Sequence, residues 1–234
     1  MARLDPLVML PGMMCDERLF APQKAVIANG RDVIIPKLYG GETITDLARL
    51  ILAQLPIRFA LAGLSMGGIV AMEMMRQASQ RISKLAIMDS NPFAEDSARQ
   101  SLRDIQIDKV KKGDLRAVMR DDMKPHYLAD TPNRQQVLDL CMAMALDLGG
   151  DVFIQQSRAL ASRPDQSNVL AKVKVPSLIL YGAEDQLCPE DRHLAMHDLI
   201  AGSKLVKIEG AGHLPCLEKP DETTAALQRW LEEE

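Results

Sequence analysis

Short apolar runs alternate along the chain with longer stretches in which apolar residues recur at helical spacing. Some runs are apolar throughout, such as Leu178-Ile179-Leu180-Tyr181, and this is typical of strands buried on both faces of a parallel sheet. Six runs are predicted as strands, at residues 6–10, 32–35, 58–62, 84–88, 177–181 and 204–208. Strands that alternate with helices predict an α/β fold, in which helices cover both faces of a mostly parallel sheet.

The stretches between the strands carry helix signals. Thr43, with Asp46 three residues later, resembles a capping box in front of an apolar series. Residues 66–77 are apolar on nearly all sides, which predicts a helix buried against the sheet. Two later helices are predicted at residues 191–200 and 221–231.

The alternation of strands and helices breaks over residues 91–165, where only helical patterns occur. Residues 103–120 are polar and amphipathic, whereas residues 137–148 are much more apolar and precede Gly149-Gly150, a common helix end. We expect this apolar helix to provide an apolar wall beneath the cap. The pattern therefore predicts a helical cap at 91–165, inserted into an α/β core made of residues 1–90 and 166–234.

Composition and charge narrow the class of protein. The 234 residues are 47% hydrophobic, which is enough for one large core. The net charge is −4 with both signs well mixed, so no basic field would attract nucleic acid or a membrane surface. No apolar run approaches the ~18 residues of a membrane span, and Asp5 and Pro11-Gly12 interrupt any signal-peptide pattern. We expect a cytoplasmic protein.

The sulfur-containing residues leave two interpretations open. The four cysteines form no C-x-x-C pair, so we expect buried, reduced thiols rather than a zinc or redox motif at Cys15, Cys141, Cys188 and Cys216. Methionine is abundant at 14 residues, whereas aromatic residues make up 3%. Methionine can fill irregular gaps in the core, or it can line a deformable apolar pocket. The pocket alternative applies to Met13, Met66, Met142 and Met144.

The strongest chemical motif is Gly63-Leu64-Ser65-Met66-Gly67. It follows a predicted strand and opens a predicted helix, which is the context of a nucleophile elbow. Both glycines are expected because the turn is strained and a Cβ at either flank would collide with the neighbouring chain. We therefore predict Ser65 as a nucleophile, with the backbone N–H groups of Met66 and Met13 as an oxyanion hole.

A serine nucleophile needs a base, and the chain offers four histidines. His126 falls in the predicted cap. His193 and His197 stand four residues apart on a predicted helix, but Leu194 occupies the glutamate position of an H-E-x-x-H zinc motif, so a solvated helix face is favoured. His213 follows the last predicted strand in a glycine-rich loop and is the predicted base.

Three carboxylates compete for the role of the acid that orients the histidine. Asp185 follows the fifth predicted strand, Asp89 follows the fourth, and Glu184 precedes Asp185 directly. Both aspartates would lie at the carboxyl edge of the sheet, where open α/β sheets bind their ligands. We predict Asp185 and leave the other two open, with the capping of a turn as the ordinary role of each.

Together these segments resemble the α/β-hydrolase family over nearly the whole chain. The matching pieces are Leu-Pro-Gly-Met-Met, Gly-Leu-Ser-Met-Gly-Gly, Val-Pro-Ser-Leu-Ile-Leu-Tyr-Gly-Ala-Glu-Asp and Gly-Ala-Gly-His, and residues 156–165 are similar to the end of the cap in small bacterial members. The resemblance implies the triad order, the oxyanion donors, a mechanism without metal or cofactor, and a cap that shapes the acyl pocket.

Two departures from the family pattern matter. Pro11-Gly12 stands where the family usually has His-Gly before the oxyanion donor, which leaves the backbone N–H intact but alters the pocket wall. The first two strands of the full fold have no counterpart in the sequence, so the resemblance implies a core of six strands.

The expected reaction is hydrolysis of a small or medium carboxylic ester through an acyl-enzyme, with Ser65 attacking, His213 moving the proton and Asp185 stabilising the imidazolium. Relatives of this size include carboxylesterases, lactonases, thioesterases and esterases of acyl-carrier-bound methyl esters, and the motifs do not separate these. Thioester hydrolysis, acyl transfer, C–C cleavage and a non-catalytic ligand sensor stay open. The expected partner is a small-molecule ester or thioester.

Overall fold

Six parallel strands make up one sheet in the computed structural model, which describes residues 4–123 and 127–233. The strands are β1 (Leu7–Leu10), β2 (Val33–Ile34), β3 (Phe59–Leu64), β4 (Ile82–Met88), β5 (Ser177–Gly182) and β6 (Lys204–Ile208). Their order across the sheet is β2-β1-β3-β4-β5-β6, and each neighbouring pair is parallel. The prediction of an α/β fold with six mostly parallel strands is confirmed.

The bounds of the strands differ from the predicted ones by at most two residues. β3 ends two residues later than predicted, and β4 begins two residues earlier. β2 lies at one edge of the sheet and spans two residues, which pair with Leu7 and Val8 of β1. The apolar runs therefore predict each strand, but they give its ends only to within one or two residues.

Ten helices connect and cover the strands within the described ranges. They are α1 (Ala21–Ile27), α2 (Ile44–Leu52), α3 (Met66–Ala78), α4 (Ser97–Lys111), α5 (Leu115–Ala117), α6 (Arg134–Ala161), α7 (Ser167–Leu170), α8 (Glu190–Leu199), α9 (Pro215–Glu218) and α10 (Pro220–Glu232). Single 3₁₀ turns lie at Glu17–Phe20 and Ser79–Arg81, and a π-helical turn at Val118–Met123 continues α5. Across the described ranges, no helix is both long and apolar enough to cross a membrane.

The helix signals in the core part of the sequence are confirmed. Thr43 caps α2, since its Oγ1 accepts a hydrogen bond of 3.0 Å from the backbone N–H of Asp46. α3 begins at Met66, as predicted, and is buried on nearly all sides. The bounds of α8 and α10 lie within one residue of the predicted ones.

The apolar core lies on both faces of the sheet. Successive side chains of a strand point to opposite faces, and along β1 this alternation is complete. Val8 and Leu10 pack on one face with residues of α2 and α3, while Leu7 and Met9 pack on the other with residues of α1 and α10. Because the sheet is covered on both sides, only its edges and strand ends remain for a functional site.

Helices and loops fill the described part of the segment between β4 and β5, which is where the sequence predicts a cap. The helices differ from the predicted ones in their ends. The stretch predicted as helical at residues 103–120 is divided into α4 and α5, because Gly113 between them adopts φ +96°. Gly149 has φ +82° and interrupts α6, but helical structure resumes after it and continues to Ala161. The cap boundaries at 91 and 165 remain a prediction.

Candidate active site

Ser65 sits in a strained turn between β3 and α3, with φ 55° and ψ −117°. Residues that carry a side chain rarely adopt a positive φ. A Cβ on Gly63 would overlap the backbone of Gly67, and a Cβ on Gly67 would overlap the carbonyl of Leu10. Ser90 supports the turn from below, since its Oγ donates a 2.8 Å hydrogen bond to the carbonyl of Ser65. The need for both glycines is as predicted.

The side chains predicted as nucleophile, base and acid form one chain of contacts. His213 Nε2 lies 2.8 Å from Ser65 Oγ, and His213 Nδ1 lies 2.8 Å from Asp185 Oδ2. Ser65 follows β3, Asp185 follows β5 and His213 follows β6. Because these parallel strands end at the same edge, residues far apart in the sequence come within hydrogen-bond reach of one another.

The Asp185 carboxyl is buried and engaged at both oxygens. Its side chain is 1% exposed, and Oδ1 accepts hydrogen bonds of 2.8 Å and 3.0 Å from the backbone N–H groups of Leu187 and Cys188. Burial disfavours the charged form, but the charge and hydrogen bond of His213, helped by the two N–H groups, outweigh it and lower the pKa of Asp185. The ionised carboxylate makes Nδ1 of His213 the donor and leaves Nε2 as the acceptor.

A cavity of about 130 Å³ opens beside Ser65 and His213. Met13 and Met66, the two residues predicted to donate to an oxyanion, both line it. Met66 is the first residue of α3, where a backbone N–H has no partner within the helix. The cavity is therefore placed where an acyl group bound at Ser65 would lie.

The predicted cavity wall is wrong. No residue from 137–148 lines the cavity. Within the described part of 91–165, the lining comes from α4 and from Asn91, Met123, Tyr127, Leu160 and Arg163. The apolar part of α6 instead packs into the core, where Met142 and Met144 are buried. The pocket interpretation of the methionines therefore holds for Met13 and Met66 and fails for the other two.

A model described as the alpha/beta hydrolase family matches residues 8–227. The chain belongs to this family. The resemblance on the motifs around Ser65, Asp185 and His213 is thereby confirmed over nearly the whole sequence.

Among curated relatives of this hydrolase are two pimeloyl-[acyl-carrier protein] methyl ester esterases. The one from Neisseria meningitidis is 26% identical over 193 residues, which cover 80% of this chain and 74% of the relative. The one from Pectobacterium carotovorum is 28% identical over 194 residues, which cover 80% of this chain and 75% of the relative.

Solved structures of esterases match this hydrolase closely. A thermophilic esterase from Thermogutta terrifontis, solved with malate bound, superposes with a TM-score of 0.91 at 25% identity, covering 98% of this chain and 90% of the esterase. An esterase from Exiguobacterium antarcticum gives a TM-score of 0.84 at 25% identity, covering all of this chain and 94% of the esterase.

The two rival carboxylates of this hydrolase are placed differently from Asp185. Asp89 is fully buried with φ 44°, and its Oδ1 accepts a 2.9 Å hydrogen bond from the backbone N–H of Gly182 on β5. Burial and then the nearby charge of Asp185 raise the pKa of Asp89 well above its usual range, which favours the protonated form of this carboxyl. Glu184 is exposed. The carboxylate that contacts His213 Nδ1 is that of Asp185.

The prediction of a solvated helix face is wrong for His193. Its side chain is fully buried between α8 and the sheet, where its ring stacks on Tyr181 at a centroid distance of 4.6 Å. Burial lowers the pKa of His193 to about 4, so the ring is neutral at physiological pH. His197 is half-buried, and its Nδ1 contacts Ser203 Oγ at 2.8 Å. His126 lies outside the described residues.

In the described ranges, two groups of three side chains bring possible metal-ligating atoms within 4.8 Å of one another. One group is Asp89, Asp185 and His193. The other is Asp185, Cys188 and His213. Both groups contain Asp185, whose oxygens already accept hydrogen bonds from His213 and from two backbone N–H groups. A cation at either place would compete with the contact between Asp185 and His213. We therefore assign no metal to these side chains.

Glu218 supports the loop that carries His213, and sequence reasoning missed it. Its buried carboxylate accepts hydrogen bonds from the backbone N–H groups of Gly212 at 2.9 Å and Leu214 at 3.0 Å, on either side of His213. A third, of 2.8 Å, comes from Ala129 in the helical insertion. The sequence feature that could have indicated this role is a single carboxylate after the apolar stretch that follows His213.

Proposed function

We propose that the chain is a serine hydrolase that cleaves carboxylic esters through an acyl-enzyme. The observation that carries this proposal is the chain of two 2.8 Å contacts from Ser65 Oγ through His213 to Asp185, beside a cavity. A serine hydroxyl in contact with an imidazole, which an ionised carboxylate orients, is an activated nucleophile.

Acylation begins when Ser65 Oγ attacks the ester carbonyl carbon while its proton moves to His213 Nε2. Asp185 stabilises the imidazolium that forms. The negative charge on the carbonyl oxygen is held by the backbone N–H groups of Met66 and Met13, and the N-terminal end of α3 adds the partial positive charge of the helix dipole. His213 then returns the proton to the alcohol oxygen as the ester C–O bond breaks.

Deacylation repeats these steps with water. His213 removes a proton from the water molecule, the resulting hydroxide attacks the acyl carbon, and the tetrahedral intermediate collapses. The bond to Ser65 Oγ breaks, Oγ regains its proton from His213, and the carboxylic acid leaves. No step uses a metal or an organic cofactor.

The relatives support ester hydrolysis in particular. The two curated relatives are named methyl ester esterases, and each alignment covers 80% of this chain. The two solved structures at 25% identity are named esterases as well. We propose a small-molecule ester as substrate and the cytoplasm as the place of action, where the four buried cysteines would stay in the reduced form.

The reaction is tested with a series of nitrophenyl esters and acyl thioesters of increasing chain length, assayed on the whole chain and on Ser65→Ala. We expect the whole chain to hydrolyse esters of short acyl groups faster than those of long ones, because the cavity beside Ser65 measures about 130 Å³. Ser65→Ala should lower turnover by about 10⁴-fold or more. Turnover of thioesters alone, or equal turnover by both proteins, would contradict the proposal.

A further inference from the structure

Three arginines line the cavity that contains Ser65 and His213. Arg99 and Arg103 come from α4, and Arg163 follows α6. No aspartate or glutamate is among the described residues that line this cavity. Among the described lining residues, the side chains of fixed charge are therefore all positive.

One buried carboxylate, Glu95, lies behind this wall and holds two of the arginines. Its side chain is fully buried, and Arg103 Nε contacts Glu95 Oε2 at 2.7 Å. Arg163 Nη2 contacts Glu95 Oε1 at 3.0 Å, with the arginine side chain only 4% exposed. Glu95 therefore fixes the position of both guanidinium groups, but its single charge balances only one of them.

Arg99 adds a third positive charge with little compensation. Its nearest carboxylate in the described residues is Asp96 at 3.7 Å, and that pair is solvent-exposed on both sides. Exposed pairs at such a distance contribute little. Arg103, by contrast, is only 15% exposed. A cavity with this excess of positive charge favours a ligand that carries a negative charge of its own.

Arg103 also contacts the side chain of a residue proposed for the oxyanion hole. One of its terminal nitrogens contacts the sulfur of Met13 at 3.7 Å, and Met13 is the proposed second donor to the oxyanion. A guanidinium group matches the planar geometry of a carboxylate, with two parallel hydrogen bonds. The space available, about 130 Å³, suits a short arm between the ester carbonyl and such a group.

We propose that the substrate is an ester that bears a second, ionised carboxylate, held by Arg103 and Arg99 while Ser65 attacks the ester carbonyl. The inference rests on the proposed ester hydrolase function and names the substrate class. A phosphate group would offer similar chemistry, and the test below separates the two anions.

The test compares matched substrates on the whole chain. One is the nitrophenyl monoester of glutaric acid, and its neutral isostere replaces the two carboxylate oxygens with methyl groups. A third ester carries a phosphonate in place of the carboxylate. A second pair, carboxyphenyl acetate and methylphenyl acetate, compares a charged with a neutral group in the alcohol part of the ester. We expect kcat/KM to be at least about tenfold higher for the carboxylate than for its isostere on one side of the ester bond.

Variants assign the preference to the arginines. Arg103→Gln and Arg99→Gln should each lower the ratio of kcat/KM for the anionic ester over the neutral one by about tenfold. Lys111→Gln removes a positive charge from the same helix but does not line the cavity, so the ratio should not change. Melting curves check the fold, and Arg99→Gln is the safer variant because its side chain is 45% exposed.

The outcomes separate this inference from the proposed function. Hydrolysis of neutral and anionic esters at equal rates on both sides of the ester bond would overturn the inference and leave the hydrolase function intact. A preference for the phosphonate over the carboxylate would also overturn it. If no ester is hydrolysed, the proposed function itself is wrong, and the inference falls with it.

Discussion

Two buried aspartates at the carboxyl edge of the sheet have pKa values shifted in opposite directions by their surroundings, and their contacts indicate different roles. Asp185 contacts His213 Nδ1 and two backbone N–H groups, and its pKa is lowered although burial acts against ionisation. Asp89 accepts one backbone hydrogen bond, from Gly182, while burial and the charge of Asp185 raise its pKa well above the usual range. Ionising both would place two like charges in one buried site.

Substitution by asparagine tests this assignment. Asp185→Asn should lower kcat by about 10⁴-fold, because the amide offers His213 no negative charge and favours the wrong tautomer. Asp89→Asn should cost no more than about tenfold, because the amide oxygen can still accept the hydrogen bond from Gly182. Steady-state kinetics and circular dichroism on both folded variants check this. A dead Asp89→Asn beside an active Asp185→Asn would mean that the acid follows β4.

The sequence predicts the role of a side chain when that role depends on residues close to it in the chain. Ser65 stands in a strand–turn–helix motif, and the glycines on its two sides are required by contacts within a few residues of it or with β1. Glu218 could not be predicted in the same way, because one of its three hydrogen bonds comes from Ala129, which lies 89 residues away. The burial of His193 likewise depends on Tyr181 of a neighbouring strand.

Among the elements, α3 shows how a polar residue can be buried in an otherwise apolar helix. Glu73 of α3 is fully buried, and its carboxylate accepts hydrogen bonds from Arg76 at 2.5 Å, Gln77 at 2.8 Å and Gln166 at 3.3 Å. Burial acts against the charged form, but these hydrogen bonds outweigh it and lower the pKa of Glu73 from 4.5 to about 2. The last of them ties α3 to the segment that precedes α7.

This lowered pKa predicts acid-sensitive stability. A carboxylate whose pKa falls on folding stabilises the folded state at pH values above its unfolded pKa of 4.5, and the contribution disappears as the pH drops towards about 2. Glu73→Gln should therefore lower the free energy of unfolding by about 1–2 kcal/mol at pH 7. This value is smaller than the full pKa shift implies, because Arg76 is half exposed and solvent screens its charge.

Urea unfolding at pH 7 and at pH 3 measures this effect, with Glu222→Gln on the first turn of α10 as an exposed control. The difference between Glu73→Gln and the unsubstituted chain should shrink at the lower pH, whereas the control should show little difference at either. A Glu73→Gln penalty that is as large at pH 3 as at pH 7 would contradict the account.

The helical insertion marks the limit of periodicity as a guide to function. The apolar residues 137–148 predicted a pocket wall, yet that part of α6 packs into the core. The polar helix α4 supplies two cavity residues, Arg99 and Arg103, instead. Apolar periodicity reports that one face of a helix is buried, but it does not report against which surface.

For the whole molecule, parallel topology is what assembles the site. β3, β4, β5 and β6 are neighbours and run in the same direction, so the residues that follow them meet at one edge. This part of the account could be predicted from the sequence, because alternating strands and helices fix the direction of each strand. The charge balance of the cavity could not be predicted from the sequence, because it depends on the ion pair between Arg163 and Glu95, which are 68 residues apart.

The central claim, that Ser65 is a nucleophile activated by His213, is tested most directly by covalent labelling. The whole chain is treated with a fluorophosphonate, and intact-mass spectrometry followed by peptide mapping locates the adduct. The account predicts one adduct per chain, on Ser65, with none on Ser65→Ala and labelling slowed by at least about 10³-fold on His213→Ala. An adduct on another residue of the unsubstituted chain, or full-rate labelling of either variant, would contradict the account.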